Sequence, residues 1–531
     1  MQPDLTGIAP LDVNLATRVA VGDALTRSAQ MFGARTAIAD GSRLATYREL
    51  DEKSSALAHA LLGTGLQRQQ PVAMLMRNSF EFVATYFGCA KSALVALPVN
   101  IALTPDDIAW ILRDAGVTTI VADRVALPLL TPFLAGEHPE LTIVVVGDVA
   151  DAPAGSCSWD EFVSRGSVDR PEVIVEDRDT VQCLYTSGTT SRPKGVLVSH
   201  VSVLIAGMTN ALQTGHSWGS DPSTLVNVLP LFHTTALNTL VLPVLFTGGT
   251  VVLHAQFDPA SILADIEKHS ATHLMLLPIM YRALLAARGE AGGLPTVRRA
   301  VYAMAPMPGE LLDRVDDLFP NAAVILGSGQ TEVVPATVLQ WSEHRHTKAD
   351  SWGPATATVE TGIMDPAGKL VQEGESGEIV YRGPHVASGY WNNPEANRAS
   401  FAHGWFHSGD IGHLDDERVV WFTDRLKDII KSGGENVSSV DVERVVTGAP
   451  GVAECSIVGV PDDRWGEAVC AVVVPTDPDA VDAEFEATVI AHAKTHLAGF
   501  RVPKRVVVVD ALPKTATGKT RKHELRSQFA D

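Results

Sequence analysis

One stretch of the chain, TSGTTSRPKG, has a composition that suits phosphate binding better than packing. Every residue from Thr186 to Ser191 is a glycine or carries a hydroxyl, and Lys194 and Gly195 follow closely. Glycines let a ligand approach the backbone, amides and hydroxyls donate hydrogen bonds, and the lysine supplies positive charge. A Walker-type P-loop ends in Gly-Lys-Ser/Thr, whereas Lys194 precedes its glycine, so the spacing excludes that class. A surface linker could share this composition, but the strand-like GVLVSH that follows favours a phosphate cradle.

Five later segments place further polar side chains in turn-like surroundings. They are GSGQTE (327–332), GEIVYRGPHVASGYWNNP (377–394), WFHSGD (405–410), DRLKDIIKSGGENVSSVDVE (424–443) and PKTATGK (513–519). Each of them alone has an ordinary explanation, because a lysine in a turn is usually solvated and an aspartate there usually caps the backbone. Their order along one chain is therefore more informative than any single motif.

Alternating helices and strands must position these segments. Between Ala20 and about Asp148, ELDEKSSALAHALLGTGL predicts an amphipathic helix and PVAMLMRNS a buried strand. Thr104–Asp107 predicts a helix start, with a hydroxyl cap, a proline at the first position and acids in the first turn. The rhythm returns from Ser223 to Gly327, with strands at STLVNVLP, TVVLH, THLMLLP, RRAVYAM and AAVILG. This alternation predicts an α/β fold with a largely parallel sheet.

The C-terminal part of the chain has a different pattern. From Thr358 to Gly383 the sequence is β-like and rich in turns, and a smaller unit of helices and strands follows. We place the boundary in TDRLKDII near Lys427. The predicted domains are therefore 1–426 and 427–531.

Composition and charge exclude several classes of protein. The chain has 531 residues, is 46% apolar and 20% charged, and carries a net charge of -20, which argues against a broad nucleic-acid-binding face. Its five scattered cysteines form no C-x-x-C pair, so we expect free thiols in a reducing cytosol. The N-terminal residues lack the apolar core of a signal peptide, and polar residues, a proline and glycines interrupt the longest apolar stretch. We expect a cytoplasmic protein without a transmembrane segment.

Together the six motifs resemble those of the adenylate-forming (AMP-binding) superfamily, most closely its acyl-CoA synthetase and fatty-acid–CoA ligase branch. The resemblance covers nearly the whole chain. It implies a large N-terminal domain of mixed parallel sheets flanked by helices, a β-rich subdomain, and a small mobile α+β C-terminal domain. It also implies a reaction in which a carboxylate attacks the α-phosphate of ATP and a thiol then attacks the acyl-adenylate. ATP, Mg²⁺ and coenzyme A are the implied cofactors.

The resemblance also implies a nucleotide site. The residues assigned to ATP are Thr186, Ser187, Gly188, Thr189, Thr190, Lys194, Ala305, Pro306, Ser328, Gly329, Gln330, Thr331, Asp410, Arg425 and Lys519. The glycine-hydroxyl loop would hold the β- and γ-phosphates, and Glu332 would bind magnesium, which prefers one or two carboxylates plus phosphate oxygens. Asp410 would accept hydrogen bonds from both ribose hydroxyls, with Arg425 beside it. Relatives often carry an aromatic residue where Ser328 stands, so part of the adenine contact must come from elsewhere.

Two lysines of the C-terminal domain would serve the two steps in turn. Lys519 would stabilise charge at the reacting carboxylate and phosphate, whereas Lys431, Gly433 and Gly434 would line the approach of the thiol. The family's small domain rotates between the steps, and Lys427 lies next to the family's hinge. With Thr331 and His233, these two lysines make up the predicted catalytic set.

The predicted acid pocket is mostly apolar. Its members are His233, Thr234, Leu237, Asn238, Met304, Ala305, Gly329 and Val333. Amino-acid-activating relatives carry an aspartate where Thr234 stands, and an ammonium buried without a counter-charge is costly, so the sequence disfavours amino acids as substrates. The SGGENVSSVDVE and HSGD segments most resemble fatty and other acyl-CoA synthetases, so medium- or long-chain fatty acids are the first expectation and aryl acids the alternative. Met304 stands where relatives carry Gly or Ala and could shorten or reshape the pocket. His233 has two open interpretations, a structural histidine or the gate of the carboxylate tunnel.

Three functional hypotheses follow for the chain. The first is a ligase that uses a small-molecule carboxylic acid and CoA. The second is a ligase that loads a separate carrier protein, and the third is a nucleotide-binding protein without catalysis, which the presence of Lys194, Glu332, Asp410 and Lys519 disfavours. A homodimer stays open as an assembly.

Overall fold

The structure is a computed structural model that describes residues 4–136, 141–186, 192–303, 307–478, 481, 484–514 and 520–529. The chain forms two compact units. The first comprises Met1–Glu360 and Tyr381–Phe406, and the second comprises Thr361–Val380 and His407–Asp531. The predicted domain boundary at Lys427 stays a prediction.

Helices are distributed over the whole described chain. They are α1 (Pro10–Thr17), α2 (Val21–Phe32), α3 (Tyr47–Gly63), α4 (Phe80–Lys91), α5 (Pro105–Asp114), α6 (Thr131–Leu134), α7 (Trp159–Val163), α8 (His200–Thr214), α9 (Leu242–Phe246), α10 (Pro259–Lys268), α11 (Pro278–Arg288), α12 (Gly309–Leu318), α13 (His344–Thr347), α14 (Pro394–Ser400), α15 (Ser439–Thr447), α16 (Phe485–His496) and α17 (Lys522–Gln528). Two 3₁₀ segments, Arg124–Leu130 and Thr331–Val333, and a π-helix, Thr235–Val241, interrupt this pattern. No helix in the described part of the chain is long and apolar enough to cross a membrane.

The strands follow the same chain order. They are β1 (Thr36–Asp40), β2 (Arg43–Thr46), β3 (Pro71–Leu75), β4 (Val95–Pro98), β5 (Thr119–Asp123), β6 (Thr142–Val146), β7 (Cys157–Ser158), β8 (Thr180–Thr186), β9 (Lys194–Ser199), β10 (Thr224–Asn227), β11 (Thr250–Leu253), β12 (His273–Leu276), β13 (Arg299–Tyr302), β14 (Ala323–Ser328), β15 (Val338–Leu339), β16 (Gly353–Pro354), β17 (Glu360–Met364), β18 (Gly377–Arg382), β19 (Gly389–Tyr390), β20 (Phe406–Leu414), β21 (Val419–Arg425), β22 (Ile430–Ser432), β23 (Glu435–Val437), β24 (Val452–Asp462), β25 (Gly466–Pro475) and β26 (Arg505–Val508).

Local sequence explains where several of these elements begin. The Thr104 side chain accepts a hydrogen bond from the Asp107 backbone nitrogen at 3.2 Å, and Pro105 occupies the first turn of α5. The predicted helix start is therefore confirmed. Each of the five strands predicted between Ser223 and Gly327 is also present, as β10 to β14.

Two large sheets organise the first unit. One has the order β7-β6-β5-β3-β4-β8-β9-β19, parallel from β7 to β8 and antiparallel at its β9 and β19 edge. The other has the order β2-β1-β11-β10-β12-β13-β14-β15, parallel from β1 to β14. One apolar cluster contains residues of both sheets and of α3, α4 and α8, and separate clusters cover the other faces. Parallel sheets buried on both faces are typical of α/β proteins, which confirms the predicted fold class.

The second unit is built mainly from antiparallel strands. β17, β18, β20 and β21 are neighbours in that order, and β23-β22-β25-β24 form a further sheet with β26 parallel to β25. Apolar residues of α15 and α16 pack on one face of this second sheet, and Leu525 of α17 packs on the other. The C-terminal part is thus the small α+β body that the sequence predicted.

Candidate active site

Strands β8 and β9 bring the two ends of the glycine-hydroxyl loop together. Thr186 and Lys194 are partners in the antiparallel ladder, and the Thr186 hydroxyl lies 3.5 Å from the Lys194 carbonyl oxygen. The first and last predicted phosphate ligands therefore share one site at the edge of a sheet. Ser187, Gly188, Thr189 and Thr190, which were also assigned to the phosphates, lie outside the described residues.

Arg192, near the end of the same loop, contacts an aromatic ring on α5. Its guanidinium carbon lies 5.2 Å from the centre of the Trp110 ring on α5, a cation–π distance. Trp110 meets Tyr185 edge to face, and the Tyr185 hydroxyl donates to Asp114 at 2.6 Å. Burial, together with this carboxylate, raises the pKa of Tyr185 above its usual range. Arg192 thus anchors the end of the loop to α5, a role that the sequence did not indicate.

Glu332 lies in a strained turn after β14. It belongs to a single 3₁₀ turn, and the backbone that follows has φ of 32° at Val334 and 70° at Ala336. Positive φ is costly for a β-branched residue and is typical of functional turns. A Cβ on Gly329 would lie 2.6 Å from the Ala336 nitrogen, so this position requires glycine. Backbone strain is therefore concentrated in the turn that positions the Glu332 carboxylate.

Tyr390 connects Glu332 to the loop lysine. Its hydroxyl donates to Glu332 Oε1 at 3.0 Å, and Lys194 Nζ lies 5.2 Å from the centre of its ring. Backbone bonds fix this arrangement, because Tyr390 pairs with Val196 on β9 and the Ala387 nitrogen donates to the Glu332 carbonyl oxygen at 2.8 Å. Burial, with Glu332 nearby, raises the pKa of Tyr390 well above its usual range, so the phenol stays a donor.

The sequence contained a signal for Tyr390, since it lies in the quoted GYWNNP motif, but the contact with Glu332 spans 58 residues. Glu332 is the carboxylate that the sequence assigned to magnesium, and Tyr390 holds one of its two oxygens. No group of three or more potential metal ligands occurs in the described part of the chain. Mg²⁺ is suited to such a site because it keeps water and phosphate oxygens as ligands. With Oε1 held by Tyr390, Oε2 of Glu332 is the oxygen that would bind the metal.

The other residues assigned to adenine binding and to the acid pocket differ in how far they are buried. Thr331, Ser328 and Gln330 are half-buried near Glu332, whereas Val333 is fully buried. Met304, Ala305 and Pro306 lie outside the described residues.

The π-helix after His233 has one buried face and one half-buried face. Leu237 and Asn238 are 0% exposed and Thr234 is 6% exposed. His233, Thr235 and Thr239 are half-buried. The resemblance assigned His233, Thr234, Leu237 and Asn238 to the pocket without separating these two faces.

Asn238 belongs to a buried hydrogen-bond network. Its Oδ1 accepts from Gln182 Nε2 and from the Thr234 hydroxyl, both at 2.8 Å. Its Nδ2 donates to Gln182 Oε1 at 3.0 Å, and the Tyr86 hydroxyl donates to the same oxygen at 2.8 Å. Every polar atom of the Asn238 side chain therefore has a protein partner. The network ties the π-helix to β8 and α4.

Thr235 and Thr239 are residues that the sequence missed. They lie four positions apart on the half-buried face, and the Thr239 hydroxyl lies 3.4 Å from the Pro335 carbonyl oxygen, just after the Glu332 turn. Thr239 thus contacts the segment that follows the Glu332 turn. The spacing of HTTALNT contained this signal, but the choice between neighbouring threonines needed the structure.

Within the second unit, Asp410 and Arg425 face each other across β20 and β21. They are register partners, and Arg425 Nε lies 3.2 Å from Asp410 Oδ1. Asp410 is only 2% exposed, and its backbone nitrogen donates to the Ser408 hydroxyl at 3.0 Å. The structure brings together the two residues that the sequence assigned to the ribose.

Lys427 follows this pair directly. Burial, with Arg425 and Arg526 nearby, lowers the pKa of Lys427 to about 8. Asp428 forms an ion pair with Arg526 of α17 at 2.6 Å. The predicted hinge segment is therefore attached to the last helix of the second unit.

Lys431, Gly433 and Gly434 form an exposed hairpin tip. Lys431 lies on β22, and the two glycines connect β22 to β23 with φ of 63° and 87°. A two-residue turn with positive φ at both positions favours Gly-Gly. Lys431 is exposed, while its backbone nitrogen donates to Glu467 at 2.6 Å.

An aromatic and cationic surface lies against this hairpin. The Gly433 nitrogen donates to the Trp465 carbonyl oxygen at 2.8 Å, and a Cβ on Gly433 would lie 2.9 Å from the Trp465 ring. The Arg464 guanidinium lies 4.8 Å and Lys504 Nζ 5.2 Å from the centre of that ring. Burial, with Lys494 and Arg464 nearby, lowers the pKa of Lys504. We call Trp465, Arg464 and Lys504 the tryptophan platform, which the sequence did not predict.

Lys519 lies outside the described residues, but the ends of its segment are fixed. Lys514 pairs with Thr520 in an isolated bridge, and Lys514 Nζ lies 2.6 Å from Glu454. Lys522, at the start of α17, forms an ion pair with Glu443 at 2.8 Å. The described residues on either side of this segment, Lys514 and Thr520, thus pair with each other within the second unit.

Comparisons with known proteins agree with this organisation. The profile of the AMP-binding enzyme family matches residues 25–391, and that of the AMP-binding enzyme C-terminal domain matches residues 441–519. A feruloyl-CoA synthase of an Amycolatopsis species is 35% identical over 505 residues, which cover 95% of this chain and 98% of that protein.

Two further proteins extend this likeness. A long-chain-fatty-acid–CoA ligase of Mycobacterium tuberculosis is 33% identical over 491 residues, covering 91% of this chain and 93% of that protein. The crystal structure of ATP-bound MatB from Rhodopseudomonas palustris superposes with a TM-score of 0.85 at 28% identity, covering 96% of this chain and 99% of that one. The motifs, the fold and these likenesses agree, and the chain belongs to the AMP-binding enzyme family as an AMP-forming acid–CoA ligase that uses ATP and CoA.

Proposed function

We propose that this ligase activates an aryl carboxylic acid as its acyl-adenylate and then transfers the acyl group to CoA. The observation that carries the choice of acid is the half-buried face of the π-helix, where Thr235 and Thr239 lie and where the Thr239 hydroxyl is 3.4 Å from the Pro335 carbonyl oxygen after the Glu332 turn. A long alkyl chain gains nothing from hydroxyl groups and would desolvate them. The similarity to a feruloyl-CoA synthase supports the same class of acid.

The first step places an anion against a polyanion, so it needs positive charge that is already in position. Lys194 would contact the phosphates at the base of the loop, and Glu332 would hold Mg²⁺, which neutralises phosphate charge when bound. Thr331, beside Glu332, would orient the α-phosphate. Lys519 would complete the site at the attacking carboxylate.

The second step needs a surface for the acceptor, and the tryptophan platform supports CoA over a carrier protein. CoA carries an adenine and phosphates that carrier-bound phosphopantetheine lacks. Trp465 offers a ring for stacking, and Arg464 and Lys504 offer charge for phosphates within 5.2 Å of that ring. Lys431 and the exposed glycine turn lie beside this platform and would line the path of the thiol.

We also propose that residues 427–531 form the mobile domain that serves both steps. The profile match from 441 to 519 supports this proposal. Asp410 and Arg425 would bind the ribose, and Lys427 would absorb the change of backbone angles between the steps.

The experiment is a panel of carboxylic acids assayed separately for pyrophosphate release and for thioester formation. We expect release with arylpropenoic acids, followed by a CoA thioester, and a Glu332→Gln variant that releases none. Acid-dependent pyrophosphate release without any CoA thioester, but with acylation of a holo-carrier protein, would contradict the proposed acceptor.

A second candidate is a ligase of medium- or long-chain fatty acids. The 33% identity to a long-chain-fatty-acid–CoA ligase favours it. The same panel separates the two, since decanoate or hexadecanoate would then exceed every aryl acid in kcat/KM.

A further inference from the structure

Glu378 lies beside the segment that leads into Asp410. It belongs to β18, which is the neighbour of β20 in the sheet, and both residues are part of the second unit. The Glu378 side chain is mostly buried, with 21% of it exposed. Burying a carboxylate is costly unless hydrogen bonds compensate for the lost water. The partners of Glu378 therefore indicate what the carboxylate is there to hold.

Both oxygens of the Glu378 carboxylate have partners just before Asp410. Oε1 accepts a hydrogen bond from the Gly409 backbone nitrogen at 2.9 Å, and Oε2 lies 2.7 Å from His407 Nδ1. A carboxylate oxygen accepts, so the imidazole donates through Nδ1. Hydrogen bonds to a carboxylate are stronger than those between neutral groups. One side chain on β18 thus holds two residues of β20.

Gly409 has a backbone conformation that a regular strand does not have. Its φ is 72°, which lies in the left-handed region that favours glycine. The direction of the chain therefore changes immediately before Asp410. Because the Gly409 nitrogen donates to the Glu378 side chain, this change of direction depends on Glu378 for a hydrogen bond.

The Ser408 hydroxyl binds the next backbone nitrogen along the chain. It accepts a hydrogen bond from the Asp410 nitrogen at 3.0 Å and donates to the carbonyl oxygen of Ile379, the residue after Glu378. Two consecutive backbone nitrogens, at positions 409 and 410, are thus held by side chains. The backbone that sets the direction of the buried Asp410 carboxylate is supported by Glu378 and Ile379.

We propose that Glu378 is a positioning residue for nucleotide binding, which holds the turn at Gly409 so that the Asp410 carboxylate meets the ribose hydroxyls of ATP. This assignment rests on the proposed function, in which Asp410 binds the ribose. Glu378 itself does not contact the nucleotide in this role. Its effect reaches the ligand through the backbone, and it therefore concerns recognition of the sugar and not of the phosphates or the acid.

The test compares the affinities of the full-length enzyme for ATP and for 2′-deoxy-ATP, measured by isothermal titration calorimetry. We expect ATP to bind about 10-fold or more tightly than 2′-deoxy-ATP, because the missing hydroxyl removes a hydrogen bond to a charged group. In Glu378→Ala, and separately in Ser408→Ala, this ratio of affinities should fall to about 3-fold or less. Glu378→Gln, whose amide oxygen still accepts from the Gly409 nitrogen, should restore the wild-type ratio.

Glu373→Ala removes an exposed carboxylate from the same unit and is the matched control, which should keep the wild-type ratio. A purely structural defect would weaken the binding of both nucleotides equally and leave their ratio unchanged. Thermal unfolding establishes that each variant is folded. If Asp410→Ala lowers the ratio but neither folded variant does, the positioning role is overturned and the ribose assignment stands. A ratio that Asp410→Ala leaves unchanged would instead contradict the ribose assignment.

Discussion

The two units present their reactive groups in opposite ways. In the first unit, Glu332 is held by a strained turn and by Tyr390, and the loop lysine packs against the same ring. In the second unit, Lys431 and the Gly433–Gly434 turn are exposed at a hairpin tip. Under the proposed function, the first unit would be organised in advance for ATP, whereas the second would present groups that are delivered to the reaction. Preorganisation and delivery are separable, so substitutions should affect the two half-reactions unequally.

The largest expected effect concerns the two lysines of the second unit. Lys519→Ala should lower acid-dependent pyrophosphate release by about 100-fold or more, because it removes positive charge from the reacting centre. It should still convert supplied acyl-adenylate to thioester. Lys431→Ala should show the reverse bias, and both are measured in single-turnover half-reactions. Equal losses in both half-reactions for each variant would contradict the proposal that the two lysines act in different steps.

The buried network of the first unit should dominate stability. Asn238→Leu would leave the Gln182 amide and the Thr234 hydroxyl without partners in a dry interior. We expect the free energy of unfolding to fall by about 2–3 kcal/mol. Urea denaturation measures it, with the exposed Asn321→Leu as the matched control. A loss of less than about 0.5 kcal/mol would show that the network contributes little rigidity.

Substitution in the tryptophan platform should affect only the binding of the acceptor, CoA. Trp465→Ala should raise the KM for CoA about 10-fold, since stacking on a ring contributes about 1–3 kcal/mol, and should leave pyrophosphate release unchanged. Trp341→Ala, which removes an indole that is 55% exposed in the first unit, is the control. An unchanged KM for CoA in Trp465→Ala would move the acceptor site away from this hairpin.

The smallest expected effect tests whether Tyr390 positions the carboxylate. Tyr390→Phe keeps the ring near Lys194 but removes the hydrogen bond to Glu332. We expect a 3- to 10-fold weaker affinity for Mn²⁺ in the presence of a non-hydrolysable ATP analogue, about 1 kcal/mol, measured by electron paramagnetic resonance. Tyr47→Phe, which loses a buried hydroxyl bond to Gly249, should bind Mn²⁺ as the wild type does. Equal affinity in the two variants would argue that the strained turn alone places Glu332.

The sequence predicted most of what depends on local patterns. The helix start at Thr104 and the strands of the second large sheet follow from caps and apolar runs, which act over a few residues. The chemistry of the loop followed from its composition. The family motifs also indicated that Asp410 and Arg425 act together, and the structure makes them partners across two strands.

The contacts that the sequence could not predict are long-range or irregular. Tyr390 meets Glu332 over 58 residues, and no periodicity records such a pair. The π-helix is irregular, and only the structure shows that Thr235 and Thr239, rather than Leu237 and Asn238, lie on its half-buried face. Trp465 is unremarkable in sequence, and only its position against Gly433 identifies it as part of a surface.

The Tyr390 ring has a consequence for the enzyme before any substrate arrives. A free ammonium and a free carboxylate at one site would neutralise each other, and nucleotide binding would then have to separate them. In the described part of the chain no ion pair joins Lys194 to Glu332, because the phenol contacts the lysine with its face and the glutamate with its hydroxyl. Under the proposed function, Lys194 would then be available to phosphate oxygens and Glu332 to a metal ion. The Tyr390 ring acts as a spacer between the two opposite charges.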